Sequence, residues 1–452
     1  MPRPPDPVPD SVVVGAASAL AGTVTPPGAK SGTVRALLCA TLAPGSSTVQ
    51  RPGDGANIAA MAAACEQLGA RITRHGDQEW TIAGAGGALP AECELSAGNS
   101  GIVLRLLAAV GAHARRWVVD AAVPESLGRR GNAELADALG QLGAYCLGQG
   151  TDVRPPLTVG RRATAAGRRP AGIVGISVSR STQFLSGLLY LAPLAGGRVE
   201  IHASGTASAP GMIRATVTAL AAAGVMVEHD PELSRFVIPA GQAYQPARYA
   251  ATADGSSAAG LLAAAAAVPG SQVRIEGFYA DGQGSDAMAQ TVARMGADVT
   301  LDEGGATVRG AERLHPVQVD GSKFPDGVLP LAALSCYASG TSVFYNVEPL
   351  RYKECDRITD FLRQLTAVGA LVSERRDAIL VHGTGHLPGG AAAFGCHDHA
   401  VVMALATAAL RATAPVRIDG AAAVAQTYPG FFAAIAGLGA PVEPVSPARA
   451  PQ

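Results

Sequence analysis

A short phrase recurs six times along this chain of 452 residues and constrains its fold more than any other feature. In each copy an Ala- and Leu-rich stretch with helical character reaches a small glycine-centred turn, and an apolar stretch follows. The central glycines are Gly69, Gly143, Gly224, Gly296, Gly369 and Gly439. Because a glycine in the left-handed conformation commonly ends a helix, each copy predicts a helix followed directly by a strand.

The copies lie 74, 81, 72, 73 and 70 residues apart, and each interval also holds an earlier apolar helix, as in TVRALLCATLA. Units of this length expose an apolar face that needs a neighbour, so six independent domains are excluded. The pattern predicts six strand–helix–strand–helix–strand units packed together. Chance similarity among Ala-rich helices is the alternative, but the glycine and the strand after it recur together.

Composition excludes several classes of protein. The 35 basic and 36 acidic residues nearly balance, and aromatic residues are 4%, which argues against a nucleic-acid partner. The apolar run at 258–268 is too short to cross a membrane, and MPRPPDPVPD is not a secretory signal, so residues 1–11 are interpreted as a disordered lead. Seven scattered cysteines without a CxxC pair favour reduced thiols. A cytoplasmic globular protein is expected.

One group of charges precedes a helix that is expected to start near Thr33. Lys30 and Ser31 come just before it, and Arg35 lies one turn beyond Ser31. A helix N-terminus with two cations can bind an anion. The alternative is an ordinary cap by Ser31 with surface cations. The order Gly-Ala-Lys-Ser excludes a P-loop.

Other polar groups also mark helix starts. GNSG at 98–101 opens a helix that carries Arg105, and STQ at 181–183 opens another, where hydroxyls and backbone N–H groups suit a phosphate. Asp326 precedes a further helix.

The densest charge cluster is RYKECDR at 351–357. At helical spacing Lys353 and Arg357 would share a face while Glu354 points elsewhere. HDH at 397–399 is interpreted as a helix cap rather than a metal site, because no third ligand accompanies it. No metal and no cofactor is predicted.

Taken in order, these motifs resemble the enolpyruvyl transferases, specifically the 5-enolpyruvylshikimate-3-phosphate (EPSP) synthase family. The resemblance spans Gly22 to Leu438 and rests on PGAKSGTVRALL, AGNSGIVLRLLA, STQFLSGLL, DGSSAAGLLAAAA, FPDGVLPLAAL, RYKECDR, HDHAVVMAL and QTYPGFF. The sister family that acts on UDP-N-acetylglucosamine uses a loop cysteine, and none occurs at 121–131.

The resemblance implies an α/β, two-domain enolpyruvyl transferase fold with six βαβαββ units, three per domain, forming inside-out α/β barrels around a ligand cleft. The expected first domain is discontinuous, at 12–30 plus 253–452, and the second covers 31–252. A monomer with a small-molecule substrate is expected.

The resemblance also implies a site for shikimate-3-phosphate. The matched positions are Lys30, Ser31 and Arg35 for its carboxylate and ring, Ser181, Thr182, Gln183 and Ser208 around its 3-phosphate, and Asp326 and Lys353 for its ring hydroxyls. Thr182 replaces the family's usual serine and keeps the hydroxyl. Glu354 matches an acid–base group of the reaction.

The site implied for phosphoenolpyruvate (PEP) is only partly retained. Asn99, Gly101, Arg130 and Arg357 match it, but Ala400 replaces an arginine, Gln426 replaces a lysine and Gly131 replaces a proline. A hydrogen bond to a charged group contributes about 1.5–3 kcal/mol, so losing two costs about 3–6 kcal/mol, or about 10²- to 10⁴-fold in affinity. Lys323 is one candidate replacement cation.

The preferred expectation is therefore an enzyme of specialised metabolism that acts on shikimate-3-phosphate or an analogue without PEP. A 1,4-elimination of phosphate would give a dihydroxycyclohexadiene carboxylate, with Glu354 or Asp326 as base, Lys353 as a rival, and Lys30 and Arg35 stabilising the developing charge. The alternative is PEP-dependent carboxyvinyl transfer. A second alternative is a non-catalytic ligand-binding homologue.

Overall fold

The computed structural model describes residues 8–162, 170–207, 209–278 and 284–445. The chain divides into two compact units, a first unit of Met1–Pro27 with Ala253–Gln452 and a second unit of Gly28–Thr252. The first crossing thus precedes Gly28, three residues earlier than the sequence suggested. The reason is local, since the backbone N–H of Ala29 donates to the carbonyl of Thr252, 2.7 Å away, within the second unit.

The strands are short and are numbered in chain order. In the first unit they are β1 (Ser11–Val14), β2 (Ala21–Val24), β15 (Gln272–Glu276), β16 (Asp298–Asp302), β17 (Gly305–Arg309), β18 (Gln318–Asp320), β19 (Ser339–Tyr345), β20 (Val372–Arg375), β21 (Ala378–Thr384), β22 (Ala392–Phe394), β23 (Val416–Asp419) and β24 (Val442–Pro444). In the second unit they are β3 (Pro44–Gln50), β4 (Arg71–His75), β5 (Glu79–Ala85), β6 (Glu92–Ser96), β7 (Arg116–Asp120), β8 (Ala144–Gln149), β9 (Arg154–Arg161), β10 (Gly172–Ser177), β11 (Val199–Ser204), β12 (Glu228–His229), β13 (Arg235–Ile238) and β14 (Arg248–Ala250).

The α-helices are divided equally between the units over the described residues. The second unit holds α1 (Lys30–Leu42), α2 (Ala56–Gln67), α3 (Gly101–Gly111), α4 (Ala133–Gln141), α5 (Gln183–Leu191) and α6 (Pro210–Ala222). The first unit holds α7 (Gly255–Ala267), α8 (Ser285–Arg294), α9 (Val328–Ser335), α10 (Thr359–Ala367), α11 (His399–Ala409) and α12 (Phe431–Gly437).

These strands form six four-stranded sheets across the described residues, three in each unit. The orders are β22-β23-β1-β24, β16-β17-β15-β2 and β18-β19-β21-β20 in the first unit, and β14-β3-β5-β4, β6-β7-β9-β8 and β10-β11-β13-β12 in the second. Every sheet has one parallel pair, such as β6 with β7, extended by two antiparallel strands, such as β9 and β8. The α/β class with βαβαββ units is confirmed.

The six repeat glycines all adopt positive φ, at +101°, +85°, +74°, +111°, +96° and +106° in chain order. Each ends a helix, and the strand that follows is β4, β8, β12, β16, β20 or β24. The prediction made from this phrase is therefore confirmed, because glycine adopts the left-handed conformation without the cost that a Cβ imposes.

Each unit has its own apolar core, built on helices that are buried on every side. All residues of α3 are buried, and so are nearly all of the Ala-rich α7. In the second unit α3 packs on α5, and in the first unit α11 packs on α7 and α9. A helix that is apolar all round must lie inside, which places the sheets outside the helices.

The start of the described chain corrects one expectation. Ser11, placed in the disordered lead at 1–11, opens β1, and its hydroxyl donates to Asp419 at 2.6 Å. Val8 packs against the core of the first unit. Among the described residues, no helix combines the length and the apolar character needed to cross a membrane.

Candidate active site

The N-terminus of α1 differs from its expected form. The helix begins at Lys30 rather than near Thr33, and its capping residue is Ala29, which supplies no side-chain cap. Thr33 instead donates its N–H to the Ala29 carbonyl at 2.9 Å. Ser31 is therefore not the cap but lies with Lys30 in the first turn, where backbone N–H groups have no acceptor within the helix.

Arg35 is buried inside the second unit, at 1% exposure. Its Nε donates to Thr216 Oγ1 at 2.8 Å, and its terminal nitrogens donate to the carbonyls of Ser31 at 2.9 Å and Met212 at 3.1 Å. Burial lowers the pKa of this guanidinium. The structure thus uses Arg35 to join α1 to α6 and to fix the carbonyl of Ser31, a role that sequence reasoning missed.

A second buried arginine holds the start of α5. Arg105 donates from NH1 to Gln183 Oε1 at 2.7 Å and to Ser181 Oγ at 3.2 Å, and from Nε to Asn132 Oδ1 at 3.1 Å. Its guanidinium also lies 4.6 Å from the ring centroid of Phe184. Ser181 and Gln183, matched to the 3-phosphate site, are therefore brought together by a residue whose only sequence signal was its place one turn into α3.

The other two residues matched to the 3-phosphate are Thr182 and Ser208. Thr182 is buried, at 5% exposure, and is the capping residue of α5 without a side-chain cap. Ser208 lies outside the described residues.

The residues matched to the PEP wall converge on Arg130. The side chain of Asn99 accepts the N–H of Leu127 at 3.1 Å and so fixes the 3-10 turn Leu127–Arg129. A Cβ on Gly101 would lie 2.6 Å from Arg130 NH1. The Arg130 guanidinium thus passes close over the backbone of Gly101, where a side chain would force it to move.

Gly131, the third departure from the family pattern, has a packing explanation. A Cβ at this position would overlap the carboxylate of Asp152. That carboxylate is held by Arg180, the residue before Ser181, at 3.0 Å, and Arg180 also pairs with Glu134 at 3.3 Å. A proline ring would meet the same carboxylate, so the loop after Arg130 accommodates glycine.

In the first unit, the segment RYKECDR does not form the expected α-helical turn. A 3-10 helix covers Glu348–Tyr352, and α10 begins only at Thr359, after Asp356 accepts the N–H groups of Ile358 and Thr359. The prediction that Lys353 and Arg357 share a helix face is therefore wrong.

Arg357 is the centre of a buried charge cluster, at 3% exposure. Its guanidinium binds both oxygens of Asp398, at 2.7 and 3.0 Å, and Glu354 Oε2 at 3.0 Å. Asp326 Oδ1 lies 3.7 Å from NH1. Glu354 thus faces Arg357, contrary to the expectation that it points elsewhere. We call Arg357, Asp398, Glu354 and Asp326 the Arg357 cluster.

The electrostatics of the Arg357 cluster favour its charged form. Burial disfavours the charge of Arg357, but the charges of Asp398 and Glu354 outweigh this and raise its pKa above the ordinary value. Glu354 is buried with that cation as its partner, whereas the Asp326 side chain is 49% exposed. A carboxylate beside a fixed cation can exchange protons with a ligand, which is the requirement for general acid–base catalysis.

Asp398 has two structural roles. It is the capping residue of α11, accepting the N–H of Ala400 at 2.9 Å, and it orients Arg357. The interpretation of HDH as a cap is therefore confirmed for its aspartate. No group of three or more His, Cys, Asp or Glu side chains suited to a metal ion occurs among the described residues.

The two positions that the resemblance matches to family cations hold neutral groups with structural contacts. Ala400 is buried at 2% exposure in the core of the first unit. Gln426 donates from Nε2 to the His397 carbonyl at 2.8 Å, and its Oε1 lies 3.4 Å from His399 Nδ1. Lys323, considered as a replacement, is exposed, and its charge acts on Asp320.

Comparisons with known proteins agree with this geometry. A sequence profile described as EPSP synthase (3-phosphoshikimate 1-carboxyvinyltransferase) matches residues 14–435. The chain is 37% identical to the 3-phosphoshikimate 1-carboxyvinyltransferase of Burkholderia pseudomallei and 36% identical to that of Deinococcus radiodurans, over 96% of each chain in both pairs.

Solved structures give the same result for the fold. An EPSP synthase from Acinetobacter baumannii superposes with a TM-score of 0.77 at 25% identity, covering 96% of this chain and 99% of that one. The enolpyruvyl transferase NikO from Streptomyces tendae has a TM-score of 0.73 at 18% identity, over 96% and 98% of the two chains, which supports the fold alone.

Proposed function

This chain belongs to the EPSP synthase family, and we propose that it is a PEP-dependent carboxyvinyltransferase acting on shikimate-3-phosphate. The observation that carries the proposal is the Arg357 cluster, in which Glu354 and Asp398 hold one guanidinium in a fixed orientation. The two relatives named above carry the transferase name and are similar along nearly the whole chain.

The transfer requires two proton movements around one carbon skeleton. The acceptor hydroxyl adds to the substituted alkene carbon of PEP while the methylene carbon gains a proton. Removal of a proton from the resulting methyl group then expels inorganic phosphate and restores the double bond. Glu354 is the group proposed to hold and return this proton, because it is buried and its Oε2 lies 3.0 Å from the fixed guanidinium of Arg357.

The second unit supplies the proposed binding groups for the anionic ends of shikimate-3-phosphate. Lys30 and Ser31 at the start of α1 bind its carboxylate and ring, and Ser181 and Gln183 bind its 3-phosphate. Support comes from Arg35, which holds the Ser31 carbonyl, and from Arg105, which holds the side chains of Ser181 and Gln183. Asp326 and Lys353 stay the residues predicted to bind the ring hydroxyls.

A second candidate is the elimination of phosphate from shikimate-3-phosphate without PEP, in specialised metabolism. The observation that favours it is the replacement of two family cations by Ala400, which is buried, and Gln426, which bonds to the His397 carbonyl. In that reaction a base takes the C6 proton, the ring electrons shift, and phosphate leaves C3 to give a conjugated diene. Glu354 or Asp326 is the proposed base, with Lys353 as a rival.

The experiment compares Glu354→Gln with the matched control Glu348→Gln in a phosphate-release assay with shikimate-3-phosphate, run with and without PEP. Gln keeps an acceptor for Arg357 but cannot take a proton, so Glu354→Gln should lower kcat by about a hundredfold or more. Glu348 pairs with Arg376 on the surface, so its variant should match the unmodified protein.

Two outcomes would count against these roles. Unchanged turnover in Glu354→Gln removes this residue as the acid–base group. No turnover in the unmodified protein, with or without PEP, supports the non-catalytic homologue instead. A monomeric state and a cytoplasmic location stay predictions.

A further inference from the structure

Two cysteines lie beside the Arg357 cluster. Cys355, next to Glu354 in the chain, donates its S–H to Asp398 Oδ2 at 3.6 Å. Cys396 lies two residues before Asp398, and its Sγ is 3.3 Å from the Phe394 carbonyl. Cys396 is also close enough to Cys355 to raise the pKa of its thiol. A dithiol pair therefore spans the two segments that supply the cluster.

The backbone fixes the Cys396 side of this pair. Cys396 and His397 adopt φ of +53° and +55°, a conformation that non-glycine residues rarely hold. The N–H of Asp398 donates to the Gly395 carbonyl at 2.9 Å, and Gln426 holds the His397 carbonyl. The thiol of Cys396 is thus presented from a constrained turn rather than from a mobile loop.

The other cysteines are in different surroundings. Cys39, Cys65, Cys146 and Cys336 are buried, and burial raises the pKa of each thiol to about 12. A thiol that stays protonated is a poor nucleophile. Cys93 is partly exposed, but it lies in β6 of the second unit. Of the partly exposed cysteines, Cys355 and Cys396 lie in the two segments that supply Glu354 and Asp398 to the Arg357 cluster.

We propose that Cys355 and Cys396 are a redox-sensitive modification site, at which a reversible disulfide lowers the activity of the adjacent Arg357 cluster. The formation of this bond removes the S–H that Cys355 donates to Asp398. It also ties the segment of Glu354 covalently to the segment of Asp398. Both changes disturb the carboxylate that orients Arg357.

The reaction balances with a low-molecular-weight disulfide such as oxidised glutathione as the oxidant. The Cys396 thiolate attacks one sulfur of the oxidant, giving a mixed disulfide and one released thiolate. Cys355 then loses its proton and attacks Cys396 Sγ, which forms the protein disulfide and releases the second thiolate. Two protein thiols are oxidised and one disulfide is reduced to two thiols.

The order of attack follows from the surroundings of Cys355. The neighbouring Cys396 side chain, burial and the charge of Asp398 raise the pKa of Cys355 well above the ordinary value. Cys355 therefore stays protonated at neutral pH and acts as the resolving thiol, with Asp398 placed to accept its proton.

The experiment titrates the full chain with oxidised glutathione, blocks the remaining thiols by alkylation and maps tryptic peptides under non-reducing conditions. Cleavage at Lys353, Arg357, Arg376 and Arg411 places Cys355 in peptide 354–357 and Cys396 in peptide 377–411. We expect these two peptides to be linked, and to separate after dithiothreitol. Phosphate release in the presence of shikimate-3-phosphate and PEP should fall about tenfold on oxidation, as expected for loss of one hydrogen bond to a charged group, and recover on reduction.

Serine variants distinguish an effect of oxidation at this cysteine pair from oxidation elsewhere in the protein. Cys396→Ser should resist the loss of activity, and Cys93→Ser, the matched control, should remain as sensitive as the unmodified chain. Persistent glutathione on Cys396 without the linked peptides would overturn the proposed disulfide. Linked peptides with unchanged phosphate release would overturn its effect on the cluster. The peptide map does not depend on turnover, so it tests the pair even if the proposed function fails.

Discussion

At the scale of single residues, the chemistry of the first unit depends on how one guanidinium is shared. Arg357 faces three carboxylates, from Asp398, Glu354 and Asp326. The positions that the resemblance matches to two family cations hold Ala400 and Gln426. Because like charge opposes an anionic ligand, this balance should weaken the proposed binding of PEP relative to a site with both cations.

Restoring one cation tests this reasoning. Gln426→Lys places an ammonium where Gln426 now contacts the His397 carbonyl, an acceptor that a lysine can also use. We expect the KM for PEP to fall about tenfold to a hundredfold, because a hydrogen bond to a charged group contributes about 1.5–3 kcal/mol. Steady-state kinetics at saturating shikimate-3-phosphate measure the change.

The control is Gln318→Lys, an exposed position on β18 that adds the same charge elsewhere in the first unit. An equal effect of both variants, or of neither, would contradict the local electrostatic explanation.

The residues also show what sequence can predict. The role of Asp398 as a helix cap was predictable because this residue directly precedes an apolar helix, which is a local signal. The contact between Glu354 and Arg357 could not be predicted in this way. It depends on a 3-10 segment and on Asp398, 41 residues further along the chain, which orients the guanidinium. Arg35 and Arg105 were missed as positioning residues for the same reason, since their acceptors lie in distant parts of the sequence.

At the scale of elements, the loop after Arg130 is shaped by a neighbour far along the chain. Gly131 lies against the Asp152 carboxylate, which Arg180 holds just before α5. The loop that carries Arg130 and the segment that carries Ser181 are therefore linked through one carboxylate.

Gly131→Ala should destabilise this loop. The added methyl group overlaps Asp152, and overpacking of this kind costs about 1–3 kcal/mol in the free energy of unfolding. Asp152→Ala removes the obstacle, so the double variant should lose less stability than the sum of the two single variants. Urea unfolding of all four proteins measures this coupling, and strictly additive effects would rule out the proposed overlap.

A second element with a testable charge is β11. Glu200 on this strand accepts from Arg235, Arg198 and His202, and these partners lower its pKa to about 2. A carboxyl whose pKa is depressed by folding stabilises the native state above its ordinary pKa and loses that contribution as the pH falls towards the depressed value.

We therefore expect the unmodified protein to lose stability relative to Glu200→Gln as the pH falls from about 5 to about 2, since only the unmodified protein binds this proton on unfolding. Thermal melts of both proteins across that interval measure the difference. Parallel melting temperatures would contradict the assignment.

Element positions were predictable where the signal was periodic or local. The repeat glycines predicted six helix ends and the strands after them. The start of α1 was not predictable from Ser31, because the helix begins where Ala29 is held by Thr252, more than 200 residues away.

At the scale of the whole molecule, one sheet design is used six times, with a single strand brought from a distant part of the chain in three of the sheets. β1 lies between β23 and β24, β2 pairs with β15, and β14 pairs with β3. The repeat phrase did not predict that β1, β2 and β14 join sheets formed by distant parts of the chain, because pairing across such distances leaves no local sequence pattern.

The second unit should fold by itself. Its residues, Gly28–Thr252, contain a complete apolar core, and its two ends meet through the Ala29–Thr252 hydrogen bond. A fragment of residues 28–252 should give a cooperative urea transition and native-like circular dichroism. A broad transition without cooperativity would show that the unit depends on the rest of the chain.

Phosphorus NMR of the purified full-length protein with shikimate-3-phosphate, with and without PEP, tests the proposed reaction most directly. The account predicts that inorganic phosphate appears only when PEP is present, together with a new phosphorus signal for the enolpyruvyl product. Phosphate release without PEP, accompanied by the ultraviolet absorbance of a conjugated diene, would contradict it and establish the elimination instead.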